Sequence, residues 1–144
     1  MVLGTYYVQA QTISLDAFAA SLPLGFLITA VLYINQFPDY LADKMTQKNT
    51  LVVIMGREKT IKGFYLLVVF AYFVIVAGIV MRITPWPALV SFLTLPLAWK
   101  TIRLAAANYT GIEALKPAMA NTTVMHLLVG LLLSFGYLAA RILV

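Results

Sequence analysis

The chain has 144 residues, 62% of them hydrophobic and only 10% charged, and a mean hydropathy of +0.94. No soluble domain of this length hides so much apolar surface, so the composition predicts an all-α integral membrane protein with room for one bundle and no second domain. The net charge of +5 is gathered in loops, which speaks to topology and anionic ligands; no nucleic-acid motif is present, and the absence of cysteine excludes disulfides, thiol catalysis and thiolate metal sites.

The first residues, Val2-Leu-Gly-Thr-Tyr-Tyr-Val8, are apolar but too short to cross a bilayer. They read as the end of a helix that begins upstream of this sequence; the other reading is an interfacial segment anchored by Tyr6 and Tyr7. There is no basic n-region or cleavage site, so no signal peptide is expected. Four spans follow, each of roughly the 20 residues a bilayer requires. The first runs from Ser14, a candidate N-cap with Asp16 in the first turn, to Phe37; the second from Gly63 to Ile83. The third runs from Pro85 to Leu104, with Pro96 expected to kink it and Trp86 and Trp99 at its two interfaces. The fourth runs from Met119 to Val144, with Pro117 at its entry.

The basic residues divide unevenly between the two ends of this bundle. Lys44, Lys48, Arg57, Lys59, Lys62, Lys100, Arg103 and Lys116 fall on one side, and Arg82 and Arg141 on the other. A ratio of eight to two predicts that the first loop and the third connection face the cytoplasm. Asn108-Tyr-Thr110 and Asn121-Thr-Thr123 match the glycosylation pattern but fall on that same side, so both are read as chance.

That loop opens with the most informative stretch, Asn35-Gln-Phe-Pro-Asp39-Tyr-Leu-Ala-Asp43-Lys44, which holds two of the five acidic residues at a spacing of four. On a helix Asn35, Asp39 and Asp43 share one face. Like charges so placed repel by roughly 0.2–0.5 kcal/mol, and a cation between them reverses the sign. Oxygen ligands in this number favour Mg²⁺ shared with a substrate's phosphates. The bland reading is a pair of solvated carboxylates beside a basic loop. Against it, Pro38 opens the helix at this point, and Asn35 lies at the end of an apolar run where an amide needs a partner or ligand. Lys48 and Arg57 are the candidate diphosphate contacts; Lys44 is read instead as a partner of Asp39 or Asp43, and anchoring on anionic lipid explains much of the remaining positive charge. His126, the only histidine, is more readily a packed neutral residue than a catalyst, and Gly130 and Gly136 are read as close-packing positions.

The stretch from Asn35 to Lys44, with Lys48-Asn-Thr-Leu51 and Met55-Gly56-Arg57, resembles the second aspartate-rich motif of the UbiA superfamily of membrane prenyltransferases. Gly4-Thr-Tyr-Tyr-Val8, Leu22-Pro-Leu-Gly25 and Lys116-Pro-Ala-Met-Ala120 are similar to the branch that prenylates 1,4-dihydroxy-2-naphthoate in menaquinone synthesis. The resemblance implies half of a nine-helix bundle in a bacterial or archaeal cell membrane. It also implies Mg²⁺ held by Asp39 and Asp43, an isoprenyl diphosphate, and an aromatic acceptor attacked by the allylic cation. Asn35 would be polar support in that site. Two departures stand out. Gln47-Lys48-Asn49 replaces the family's Gly-Lys-Arg, and no counterpart of the first aspartate motif is present, so the sequence corresponds to the carboxyl half. A complementary chain or a homo-oligomer is therefore expected to complete the site. The rival readings are an inactive fragment and a non-enzymatic subunit of a transporter or channel. A channel calls for polar residues through the bilayer, and the second span offers none while the first has few, such as Ser21, Thr29 and Asn35.

Overall fold

A computed structural model describes residues 2–143, and all its regular elements are helical. Val144, expected to end the last span, lies outside the described residues. In chain order the helices are α1 (Val2–Ala10), α2 (Leu15–Ile34), α3 (Tyr40–Met45), α4 (Leu51–Met55), α5 (Arg57–Val80), a 3-10 stretch (Trp86–Thr94) running into α6 (Leu95–Asn108), and α7 (Ile112–Leu143). Four of these units are long and apolar enough to cross a membrane: Leu15–Ile34, Arg57–Val80, Trp86–Asn108 and Ile112–Ile142.

α2 starts where expected, because the extended Ser14 accepts the Ala17 amide at 3.1 Å and Asp16 sits in the first turn. α5 and α7 start six or seven residues earlier than the apolar pattern indicates. The sequences Arg57-Glu-Lys and Ile112-Glu-Ala-Leu-Lys116 are good helix formers, tied by Glu58–Lys62 and Glu113–Lys116 ion pairs at 3.0 and 2.7 Å. Hydropathy finds the apolar part of a span, and these charged turns extend the helix beyond it. Pro117 consequently lies inside α7 rather than at its entry.

α2 lies between α5 and α7, and the third span packs mainly on α7. The buried stripe of α5 is Phe64, Val68, Ala71, Ile75 and Gly78, a helical period that faces Leu27, Ala30, Val31 and Ile34 of α2. The third span buries only small residues. Ala88, Ser91 and Thr94 recur every third position in the 3-10 stretch, and Ala98, Thr101 and Ala105 continue at the wider α spacing. The nine-residue 3-10 run is long for its kind. Hydroxyl bonds from Ser91 to the Ala88 carbonyl and from Thr94 to the Ser91 carbonyl follow its three-residue period, at 2.7 and 2.6 Å. Pro96 stands at the start of α6, so the irregularity expected of it takes the form of a change of helix type. The stretched rise puts Trp86 and Trp99, both exposed, about 24 Å apart along the axis, close to a hydrocarbon thickness.

Small residues set the closest approaches. A Cβ on Gly136 would lie 2.7 Å from the Ala88 Cα and 2.9 Å from the Pro87 carbonyl, so α7 touches backbone there. Two long-range bonds fix which loops share an end. Arg57 Nη1 donates to the Thr110 carbonyl at 3.1 Å, joining the first loop to the α6–α7 connection. At the opposite end the Tyr137 hydroxyl donates to Thr84 Oγ1 at 3.3 Å. The eight clustered basic residues therefore belong to one end of the bundle and Arg82 and Arg141 to the other.

Candidate functional site

α2 ends at Ile34 because Pro38 offers no amide hydrogen and forces the preceding residue out of helical geometry. The chain tightens into i→i−3 bonds, Gln36 to Tyr33 and Phe37 to Ile34, both 3.3 Å, while the buried Phe37 ring anchors the turn. Asp39 occupies the N-cap position of α3 without making a side-chain cap bond, and its carboxylate is exposed. The Asp43 amide donates to the Asp39 carbonyl at 2.8 Å, which places the two carboxylates one turn apart on one side of α3. Asn35 does not continue that face. It is the C-cap of α2, exposed, and separated from α3 by the break at Pro38. Its amide reaches solvent or headgroups, which removes the need for a buried partner.

Asp43 is only 7% exposed and pairs with Lys48, whose Nζ lies 3.4 Å from Oδ1. The backbone makes this pairing. α3 closes with the Lys48 amide donating to the Asp43 carbonyl at 2.9 Å and the Gln47 amide to Lys44 at 3.4 Å, a Schellman motif. Its left-handed position is Gln47, at φ 56°. Lys44 is not an aspartate partner; its ammonium lies 5.9 Å from the Tyr40 ring centre. The Arg57 guanidinium lies 4.6 Å from the same ring. Tyr40, which the sequence pattern does not single out, thus holds two cations beside the acidic pair.

Unpaired polar atoms mark the same region. Among the described residues, Gln36 Oε1, Thr50 Oγ1, Arg57 Nε and His126 Nδ1 are buried without a protein partner. Three of the four lie between positions 36 and 57. Each such atom costs about 1–3 kcal/mol when left unsatisfied, so each is a point where a further polar partner fits. Thr50 Oγ1 and Arg57 Nε can donate to phosphate oxygens, whereas Gln36 Oε1 only accepts. For a metal, the described residues contain no group of three or more acidic or histidine side chains. Asp39 and Asp43 supply two carboxylates on one side, which suits an ion whose remaining positions are filled by water and phosphate.

Deeper in the bundle, an apolar cavity of about 610 Å³ opens between α1, α2, α5 and α7, with Val2 and Leu3 as its α1 wall. Ser21, Gly25 and Thr29 contribute its α2 wall, Leu67 its α5 wall and His126 its α7 wall. The aspartates do not line it. The spacing of four between Ser21, Gly25 and Thr29 is the sequence signal that locates this wall.

The chain is 30% identical over 135 residues to the 1,4-dihydroxy-2-naphthoate octaprenyltransferase of Haemophilus influenzae, covering 94% of this chain and 44% of that protein. It is 27% identical over 139 residues to the enzyme of the same name from Bacillus subtilis, covering 95% and 44%. A shorter match to the Escherichia coli protein of that name, 42% over 55 residues, covers 38% of this chain and 18% of the other. The chain thus spans about 44% of the length of the first two relatives. No solved structure matches it. The UbiA prenyltransferase family matches residues 1–121, which include the Asp39–Asp43 pair, the basic loop and the first three spans; the chain belongs to that family.

Proposed function

We propose that this chain supplies one side of a prenyltransferase site, which binds an isoprenyl diphosphate and passes its prenyl group to an aromatic acceptor such as 1,4-dihydroxy-2-naphthoate in quinone biosynthesis. The observation that carries this reading is the Asp39–Asp43 pair with Lys48 at the mouth of an apolar bundle, on a stretch of chain that also holds three orphaned polar atoms. Mg²⁺ held by the two carboxylates would supply positive charge to the departing diphosphate. Lys48 leaves Asp43 for the phosphate oxygens, and Arg57 offers its unpaired Nε from the ring face of Tyr40. The bond between the prenyl carbon and the diphosphate oxygen breaks with its electron pair on oxygen. The ring carbon of the acceptor then bonds the allylic cation and loses its proton, and the apolar interior keeps water from the cation. The distribution of basic residues supports a cytoplasmic position for the site.

One acidic pair surrounds a diphosphate from one side only. Each missing electrostatic contact raises the barrier by about 3–4 kcal/mol, by analogy with single oxyanion-hole donors. The 144-residue chain alone is therefore expected to give no turnover, and a counterpart with a second acidic pair, on the same polypeptide or another, restores it. The assay is purified chain with Mg²⁺, labelled prenyl diphosphate and dihydroxynaphthoate, with and without that counterpart. Turnover that depends on the counterpart and disappears in Asp39→Ala supports the reading. Product from the chain alone, lost in Asp39→Ala, refutes the half-site architecture.

A further inference from the structure

At the end of the bundle away from the aspartates lies a second cavity, of about 850 Å³. Two arginines line it, Arg82 from the turn after α5 and Arg141 from the last turn of α7. Asp16 and Ser14 line it from the start of α2, and Ile83 and Leu138 give it an apolar wall. Neither arginine makes an ion pair among the described residues. The turn is held rigidly. The Ile83 and Thr84 amides both donate to the Gly78 carbonyl, at 2.9 and 3.0 Å, and the Thr84 side chain packs directly on Gly78. Tyr137 binds Thr84 and so fixes the turn to the helix that carries Arg141.

Arg82 itself has φ 60°, the left-handed conformation that glycine adopts without strain. A cation is thus kept where the backbone favours glycine, and its guanidinium faces a cavity with a second one. Two unpaired guanidiniums beside an apolar wall, at a level where a span meets the membrane surface, match an anionic head on a hydrocarbon chain.

We infer that this cavity binds the phosphodiester headgroup of an anionic phospholipid, with Arg82 and Arg141 on the phosphate oxygens and Ser14 or Asp16 accepting from headgroup hydroxyls. The acyl chain runs along Ile83 and Leu138. The site is independent of the diphosphate site and lies at the other end of the molecule.

The test is retention of lipid by the purified chain. Protein is reconstituted in phosphatidylcholine with a minor share of phosphatidylglycerol, delipidated stepwise, and its bound phosphatidylglycerol counted by native mass spectrometry. The parent is expected to keep one phosphatidylglycerol after phosphatidylcholine is gone. Arg82→Gln/Arg141→Gln should weaken retention about thirtyfold, the product of two interfacial charge contacts. Arg82→Gly separates binding from folding. It relieves the left-handed strain, so the thermal midpoint in pure phosphatidylcholine should rise while phosphatidylglycerol retention falls. Unchanged retention in the double variant overturns the site. So does an equal loss in Lys100→Gln/Arg103→Gln, which would show unspecific attraction at the other end. Displacement of the lipid by millimolar inorganic phosphate, with no preference between the two lipids, overturns the lipid assignment in favour of a free anion.

Discussion

Replacing Gln47 by glycine should stabilise the protein, although it removes a side chain and adds no contact. Gln47 closes α3 at φ 56°, and no side-chain bond of its amide offsets that conformation among the described residues. A non-glycine residue in the left-handed region costs about 1–2 kcal/mol. Glycine recovers this but gains freedom in the unfolded chain worth about 0.5–1 kcal/mol. The net gain is about 0.5–1 kcal/mol, or roughly 1–4 °C in midpoint for a chain of this size. Thermal unfolding in one detergent, parent against Gln47→Gly and Gln47→Ala, provides the measurement. Alanine keeps the strain and should not gain. Hydrogen exchange localises the effect, because the Lys48 amide that donates to Asp43 should be more protected in the glycine variant. A glycine variant no more stable than the parent, or an alanine variant that gains equally, would refute the idea that backbone strain is stored at this turn.

Gly136→Ala should cost about 1–3 kcal/mol in the same melting assay, because the new methyl meets the backbone of Pro87 and Ala88, whereas Gly130→Ala meets only the end of Leu24 at 3.3 Å and should be nearly neutral. Tyr72→Phe removes the buried 2.7 Å bond to Thr94 between the second and third spans and should cost about 0.6–1.7 kcal/mol in thermal unfolding. Lys48→Met should raise the affinity of the site for Mg²⁺ alone, by releasing Asp43, and lower it for the Mg²⁺–diphosphate pair; calorimetry with both ligands reads the two signs separately. A cysteine placed at Gln47 should react with an impermeant thiol reagent only after cells are opened, and one placed at Met81 should react from outside.

Much of this architecture is legible in the sequence because the bilayer leaves few alternatives. Backbone groups in hydrocarbon must be paired within a helix, so apolar runs of the right length become spans. Ser14 and Asp16 announce the start of α2, and Arg57–Thr110 and Tyr137–Thr84 contacts join the loops that charge counting had grouped. The pattern is blind where propensity or main-chain geometry decides. Hydropathy ends at Gly63 and Met119, while the helices continue through charged turns of good helix formers. The acidic pair is legible as a spacing of four, but the pairing of Lys48 rather than Lys44 with Asp43 follows from the reversal at Gln47. No residue-type rule points to glutamine in that conformation. Asn35 shows the converse error, since a face drawn on an unbroken helix does not survive Pro38.

The two ends of the bundle are built by the same device with different results. α3 and α5 both close with Schellman bonds, Lys48 to Asp43 and Ile83 to Gly78, and in both the left-handed position is a side-chain-bearing residue, Gln47 or Arg82. At the first end the reversal carries the following residue, Lys48, back over α3 onto a carboxylate, so the cation is stored on an internal partner and can be exchanged for a ligand. At the second end the left-handed residue is itself the cation, and the turn it closes is held by the single Gly78 carbonyl, which accepts two amides, rather than by a carboxylate. Arg82 makes no ion pair among the described residues, although Asp16 lines the same cavity, so its charge stays available to the surroundings. A strained turn that holds a paired cation suits a substrate that binds and leaves. One that holds an unpaired cation at the membrane surface suits a resident lipid. The contrast gives the two proposals separate signatures. Magnesium and diphosphate should compete with the Asp43–Lys48 pair without disturbing lipid retention, and Arg82→Gly should alter retention without changing diphosphate affinity.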